Sequence, residues 1–182
     1  MSFEGLAAEL AHDLDRAFPD FVRSLQDGVY SGALRMVGNR HDAEEIAQEA
    51  FLRAYRALRD YPAERIRDLN PAAWVWTIAA NLCRNHHRSR SRRPVTAELA
   101  IDPVDRRRGP DEDAIDHELG DELAAELRLL TWPMRAAVVL HYVVGLPYEE
   151  IATALERPVG TVKADIHRGL ARLRTRLQEV SP

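Results

Sequence analysis

The chain contains 182 residues, of which 46% are hydrophobic and 30% are charged, and its formal net charge is −4. This length and composition indicate a globular protein of one domain or two small ones. A single cysteine, Cys83, excludes an intramolecular disulfide. The first residues lack a signal-peptide pattern and no apolar run reaches membrane-spanning length, so we expect a cytoplasmic protein without membrane insertion.

Charge is unevenly distributed along the chain. Five arginines and no acid lie between residues 84 and 93, whereas eleven acids and three arginines lie between residues 98 and 126. The C-terminal stretch is basic again. The negative net charge therefore does not exclude nucleic-acid binding, because separate basic segments remain available for it.

The first predicted elements are amphipathic helices. A weak helix covers the residues up to Asp15, and a longer one covers Phe18–Val37, where a Gly-Asn pair ends it. The third helix has the sequence HDAEEIAQEAFLRAYRALRD, with Asp42 as its predicted N-cap and Glu45 as the capping-box partner. Its apolar residues recur at helical spacing, and the first half of its other face is acidic. An ordinary solvated surface also explains such a face.

The next helix begins at Asn70-Pro71 and ends before Pro94. Its predicted core stripe consists of Trp74, Ile78 and Leu82. A second stripe, rotated by about 100°, consists of Thr77, Asn81, Arg84 and Arg88. Aromatic rings beside cations suit single-stranded nucleic acid, because bases stack on the rings and phosphates bind the cations. We expect Trp74 in the core, whereas Trp76 suits either the core or a base.

Residues 94–112 lack periodicity and predict a linker. A helical seam after it is predicted at Ile115, Leu119, Leu123, Leu127 and Leu130. Thr131-Trp132-Pro133 ends that helix, and a nearly all-apolar helix follows as far as Gly145. Within it, the run VVLHYVV is ambiguous between helix and strand. The whole pattern predicts an all-α fold with two small helical domains, residues 1–93 and 113–182, joined by the linker.

The C-terminal stretch LPYEEIATALERPVGTVKADIHRGLARLRTRL predicts two helices joined by a tight turn. Pro147 suits the first turn of one helix, and Pro158 cannot continue it. The seam of the second helix is predicted at Val162, Ile166, Leu170, Leu173 and Leu177. Small and basic residues occupy its other face and its N-terminus: Arg157, Thr161, Lys163, Ala164, His167, Arg168 and Arg172. Such a helix–turn–helix suits the major groove of DNA, although a surface hairpin with a solvated basic face is the alternative.

Three segments together resemble the extracytoplasmic-function (ECF) sigma factors of bacterial RNA polymerase. HDAEEIAQEAFLRAYRAL resembles region 2.1–2.2 of that family, and AAWVWTIAANLCRNHHRSRSRRP resembles regions 2.3–2.4. GLPYEEIATALERPVGTVKADIHRGLARLR resembles region 4. The order and spacing of these segments are more specific than any one of them.

The resemblance implies a division of labour among the helices. Residues implied in binding the clamp helices of the polymerase β′ subunit are Asp42, Glu45, Gln48 and Glu49. Residues implied in opening and holding the −10 element are Trp76, Thr77, Asn81, Arg84 and Arg88. Region 4, through the basic face just described, is implied in reading the −35 element and in contacting the β flap. The acidic linker would thread toward the polymerase active centre, and an anti-sigma factor is an expected partner.

Two other classes of protein remain possible from the sequence. A stand-alone helix–turn–helix regulator would bind duplex DNA without polymerase, with residues 1–93 as a sensor or dimerisation domain. A metal site is the second, since Cys83 and His87 lie at i, i+4 beside His86, with His12 or His41 as further ligands. No second ligand pair has zinc-finger spacing. We therefore expect a protein with no cofactor, no metal and no catalytic residues.

Overall fold

The computed structural model describes residues 3–92 and 123–180, with side chains from Gly5 onward and without those of Leu177, Glu179 and Val180. Every regular element in these two stretches is helical, which confirms the all-α prediction. The predicted linker, and the predicted seam residues Ile115 and Leu119, lie outside the described residues.

Five helices form the N-terminal half. They are α1 (Phe3–His12), α2 (Leu14–Val37), α3 (Arg40–Asp60), α4 (Ala63–Arg67) and α5 (Pro71–Arg92). Helices α2 and α3 pack side by side, α5 packs against both, and α1 contacts α2 and α4. The core of this bundle includes Phe21, Met36, Ala50 and Leu58, which are all buried. Burial of these apolar side chains is the main force that holds the helices together.

The helix boundaries follow from capping side chains. Helix α2 begins four residues earlier than predicted, because the Asp13 carboxylate accepts a hydrogen bond from the Arg16 N–H. Helix α3 begins at Arg40, because the Asn39 side chain accepts from the Asp42 N–H. The prediction of Asp42 as N-cap is therefore wrong. The predicted end of α2 is confirmed, since Gly38 adopts a φ of 79° in the left-handed region that favours glycine.

The two tryptophans of α5 are arranged differently from the sequence prediction. Trp76 is only 6% exposed, and its ring lies directly against Gly32 of α2. Trp74 is half-buried, with its ring centroid 5.9 Å from that of Tyr61. Trp76 thus packs in the core of the bundle. Its prediction as a −10 contact that stacks on a base is therefore wrong, because its ring is buried against α2. The small size of Gly32 is what lets the indole approach α2.

The C-terminal half begins with helical residues 123–129 (α6), followed by α7 (Trp132–Val138), a π-helical turn (Val139–Val143), α8 (Tyr148–Leu155) and α9 (Val159–Val180). Helix α7 packs on α9, where Val138 touches Gly169. The ambiguous run VVLHYVV is helical and ends with the Val144 N–H donating to the Val139 carbonyl, five residues back. That wider turn ends the apolar helix before Gly145, whose φ is 84°.

Candidate nucleic-acid and polymerase interfaces

Helices α8 and α9 form the helix–turn–helix that the sequence predicts. Helix α8 starts at Tyr148, one residue after Pro147, and ends at Leu155. Glu156 then adopts a φ of 52°, the one positive φ of a non-glycine residue in the described ranges, and Pro158 precedes α9. The predicted seam packs inward, with Val162, Ile166 and Leu173 buried and Leu170 packed against the core. The side chain of Leu177 lies outside the described residues.

The basic face of α9 is presented to solvent. Its exposed members are Lys163, His167, Arg168 and Arg172, and its half-buried members are Arg157, Thr161 and Ala164. The Lys163 ammonium lies 5.2 Å from the centre of the Tyr148 ring, which fixes it beside the start of α8. Cations and small residues along one face at the N-terminal half of the second helix match what major-groove binding requires.

Within this basic face lies one buried acid, Asp165, which is 3% exposed. Its carboxylate lies 2.7 Å from Nη2 of Arg168 and 2.8 Å from Nη1 of Arg157. Two of the seven predicted contacts to DNA are thus anchored by one carboxylate. The pattern of apolar and basic residues along α9 does not assign this acid a function.

The polar stripe of α5 faces the C-terminal half. The Thr77 hydroxyl donates to the Ala73 carbonyl, one turn earlier in α5. Asn81 is half-buried, and its Oδ1 is buried with no hydrogen-bond partner. Arg84 is only 7% exposed, whereas Arg88 is exposed. Four of the five predicted −10 residues, including Trp76, therefore lie at least partly covered in this arrangement.

Helix α8 contributes to this cover at Arg84. It packs along α5, and Nη2 of Arg84 donates to Oε1 of Glu156 at 2.6 Å. The pKa of Glu156 is lowered, mainly because its carboxylate accepts this hydrogen bond from Arg84. A second contact stacks the His87 ring on Trp132, with centroids 5.2 Å apart and planes 12° from parallel. We call this set of contacts between the two halves the interdomain contact.

The acidic face of α3 is only partly free. Asp42 accepts from Arg90 at 3.2 Å and lies 3.2 Å from His86, so its carboxylate is held by α5. Three other members of the face reach solvent: Glu45 lies near His41, Gln48 is exposed, and Glu49 is half-buried and paired with Arg53. Next to Gln48 an open groove between α2 and α3 is lined by apolar side chains, including the half-exposed Leu52.

Comparison with known proteins decides the family. A model of Sigma-70 region 2 matches residues 21–93, and a model of Sigma-70 region 4 matches residues 120–173. The ECF RNA polymerase sigma factor SigW of Bacillus subtilis is 34% identical over 90% of this chain and 90% of its own length. The chain belongs to the ECF sigma factors.

Other relatives agree with this assignment. SigE of Mycolicibacterium smegmatis is 37% identical over 91% of this chain, which spans 63% of that relative, and the sigma-E factor of Escherichia coli is 30% identical over 87% of its length. Among solved structures, CnrH in complex with the cytosolic domain of CnrY matches with a TM-score of 0.69 at 26% identity, over 98% of both chains. RpoE of Bartonella quintana, in complex with the anti-sigma factor NepR, has the same fold with a TM-score of 0.66 at 22% identity.

The candidate metal ligands on α5 of this sigma factor are buried or in contact with other side chains. Cys83 is buried, and that burial raises the pKa of its thiol to about 12. His87 stacks on Trp132, and His86 faces Asp42. Within residues 3–92 and 123–180, no three His, Cys, Asp or Glu side chains converge as a metal site would require. No described helix is both long enough and apolar enough to cross a bilayer.

Four residues of these surfaces carried no assignment in the sequence analysis: Glu156, Trp132, His87 as a stacking partner, and Asp165. The contacts of Glu156 and Trp132 join residues far apart in sequence, so no local pattern signals them. Asp165 was detectable, since an acid on an otherwise basic helix face requires an explanation. Whether Asp165 binds neighbouring arginines or faces solvent depends on its burial, and helical periodicity predicts that burial only approximately.

Proposed function

We propose that this ECF sigma factor binds core RNA polymerase and directs it to specific promoters, by reading the −35 element and opening the −10 element. It acts in the cytoplasm as an initiation factor without catalytic residues of its own. The observation that carries the proposal is the exposed basic face of α9 on a helix–turn–helix whose apolar seam is buried. Membership of the family supplies the polymerase as partner.

Three parts of the chain divide this work. Residues 1–93 bind core polymerase and recognise and open the −10 element. Residues 94–112 connect them to residues 113–182, which read the −35 element. Each half alone has a small surface for DNA, so each binds weakly. Polymerase holds both at promoter spacing, and a tethered second contact then gains from effective concentration.

Reading of the −35 element rests on the N-terminal half of α9. Arg168 projects from the first turns of the helix and is 55% exposed, which leaves donors free for base edges. A bidentate arginine contact to guanine discriminates by about 1–3 kcal/mol. His167, Lys163 and Arg172 flank it and supply contacts to phosphates, which orient the helix without reading sequence.

Opening of the −10 element falls to α5 and the preceding segment 61–69. A flipped base requires stacking and hydrogen bonding that repay a few kcal/mol of unstacking. Asn81 fits this requirement, because its Oδ1 has no hydrogen-bond partner among the residues that the structure describes. Trp74, which lies beside Tyr61, has a half-buried ring on which a base can stack, whereas the Trp76 ring is buried in the core. Arg84 and Arg88 supply positive charge for the strand that bends past them.

Engagement of the −10 strand requires the interdomain contact to open. With α8 lying along α5, Arg84 is paired with Glu156 and Asn81 is partly covered. Core polymerase would bind the face of α3 formed by Glu45, Gln48 and Glu49, with Asp42 steadying α5 behind it. Contact of the β flap with residues 113–182 would then draw the halves apart.

An anti-sigma factor is the expected regulator. The sigma factor RpoE of similar fold was solved in complex with the anti-sigma factor NepR, and CnrH was solved in complex with the cytosolic domain of CnrY. The alignment with CnrH covers 98% of both chains with a TM-score of 0.69. A stand-alone regulator is not favoured, because it leaves the acidic face of α3 and the arginines of α5 without a function.

Run-off transcription tests the proposal. Purified chain is added to core polymerase on a library of promoters with randomised −35 and −10 hexamers, and initiated templates are sequenced. Arg168→Ala should relax selection near −35 while leaving binding to core polymerase intact. Arg23→Ala is the matched control, since it removes the same charge from an exposed position on α2. No promoter-dependent initiation with the natural chain would refute the proposed function.

A further inference from the structure

The recognition helix contains an acid at the place where DNA phosphates should approach. Asp165 is the single acid between Arg157 and Arg176, a stretch with six basic residues. A carboxylate facing DNA would repel the phosphate backbone. Here the carboxylate is almost completely buried, at 3% exposure, and points toward arginines of its own chain.

The two arginines reach Asp165 from different elements. Arg168 lies one turn later on α9, and its Nη2 donates to Oδ1 at 2.7 Å. Arg157 comes from the turn before α9, with Nη1 only 2.8 Å from Oδ2. This second contact has the distance of an ion pair without the alignment of a hydrogen bond. One carboxylate therefore ties the turn and the recognition helix together.

Each arginine keeps donors free for DNA. A guanidinium carries five N–H groups in a rigid plane, and the carboxylate occupies only part of them. Arg168 remains 55% exposed and Arg157 30% exposed. An unanchored arginine must lose rotamer freedom when it binds a base, so an anchored one begins closer to its bound geometry.

Direct reading of a base by Asp165 does not fit this geometry. An aspartate can accept a hydrogen bond from the amino group of cytosine, but it must then reach into the groove. Asp165 is covered, and both of its oxygens face guanidinium groups.

We propose that Asp165 is a positioning residue that sets −35 specificity by holding Arg157 and Arg168 in fixed orientations. This inference rests on the proposed function, in which α9 reads the −35 element. Its carboxylate also offsets part of the arginine charge, which restrains binding to DNA of unrelated sequence. Specificity is thereby raised at the expense of general affinity for DNA.

The test substitutes Asp165→Asn, which keeps the shape of the side chain and removes its charge. Selection at the −35 element is measured in the promoter library, and binding of the full chain to an unrelated duplex is measured against salt. We expect preference to fall by about tenfold at the positions read by the two arginines, since each such contact discriminates by about 5- to 150-fold. We also expect tighter binding to the unrelated duplex, with a log–log salt slope steeper by about 0.9.

These opposite changes separate positioning from a merely structural function. If the variant melts at a lower temperature and loses specific and unrelated binding together, Asp165 is a structural residue and the proposal is wrong. Asp27→Asn, an exposed acid on α2, controls for the change in net charge. Because the single variant can be unstable, the same substitution is also made with Arg157→Ala and Arg168→Ala. Its effect on selection should disappear in that background, and persistence would overturn the proposal.

Failure of this inference is distinguishable from failure of the proposed function. If the natural chain initiates with a −35 preference and Asp165→Asn keeps that preference unchanged, only the positioning function is wrong. If the natural chain supports no initiation with core polymerase, the proposed function itself fails.

Discussion

The packing of Trp76 against Gly32 predicts opposite effects for two alanine substitutions four residues apart on α2. A Cβ added at Gly32 would lie 2.4 Å from Cη2 and 2.8 Å from Cζ3 of the indole. A Cβ added at Gly28 would lie 3.9 Å from Cζ2 of the same ring, an ordinary contact. Both substitutions replace glycine in a helix interior, so they share the same backbone gain.

The magnitudes follow from these distances. Alanine gains about 1 kcal/mol over glycine within a helix, which is all that Gly28→Ala should experience. At Gly32 the ring is rigid and buried, so the added methyl forces the helices apart at a cost of about 1–3 kcal/mol or more. After the helix gain is subtracted, we expect Gly32→Ala to be destabilised by up to about 2 kcal/mol, and to be about 1–3 kcal/mol less stable than Gly28→Ala.

Thermal unfolding followed by circular dichroism measures both variants. In a chain of this length each kcal/mol moves the melting temperature by about 2–4 °C. Gly28→Ala should therefore melt a few degrees higher than the natural chain, and Gly32→Ala a few degrees lower. Equal or higher stability of Gly32→Ala would refute the core position of Trp76 and would restore it as a candidate for base stacking.

Three further predictions concern the interdomain contact and the buried thiol. Glu156→Gln should weaken the pairing with Arg84, so small-angle scattering should report a larger radius of gyration than for Glu149→Gln in the preceding helix α8; equal radii would contradict the contact. Burial lowers the pKa of His87, with nearby Arg135 and His86 adding to the effect, so the folded state binds fewer protons than the unfolded state. The contribution of neutral His87 to the free energy of unfolding is therefore present above pH about 6.5 and is lost as the pH falls through the lowered pKa of the folded state. His87→Gln should remove this part of the acid dependence of the melting temperature. Cys83, with a pKa of about 12, should react with iodoacetamide at pH 8 about a thousandfold more slowly in the folded chain than in denaturant, and comparable rates would mean that it is not buried.

Local patterns in the sequence predicted most of the helices and the shape of the C-terminal site. Asn70 and Gly38 act at helix ends as expected, since the Asn70 side chain accepts from the Ala73 N–H and Gly38 takes a left-handed conformation. Capping is a local interaction, and sequence reports it well. The exception is Asn39, which competes with Asp42 for the same helix start and caps it three residues earlier.

Features that depend on contacts between distant segments could not be predicted from the sequence. Trp74 and Trp76 lie two residues apart and differ by about 200° around the helix, so one of them had to face the core. Only the presence of Gly32 on the neighbouring helix decides that it is Trp76. The pairing of Arg84 with Glu156 likewise joins residues 72 positions apart, through a helix end that no motif marks as a contact.

The central claim is that polymerase brings two weak DNA-contacting surfaces of this chain to one promoter. Footprinting of a selected promoter, with the chain alone and with the chain plus core polymerase, tests it most directly. Protection at −35 and strand opening at −10 should occur only when both proteins are present. Protection of a duplex site by the chain alone, unchanged by polymerase, would contradict it.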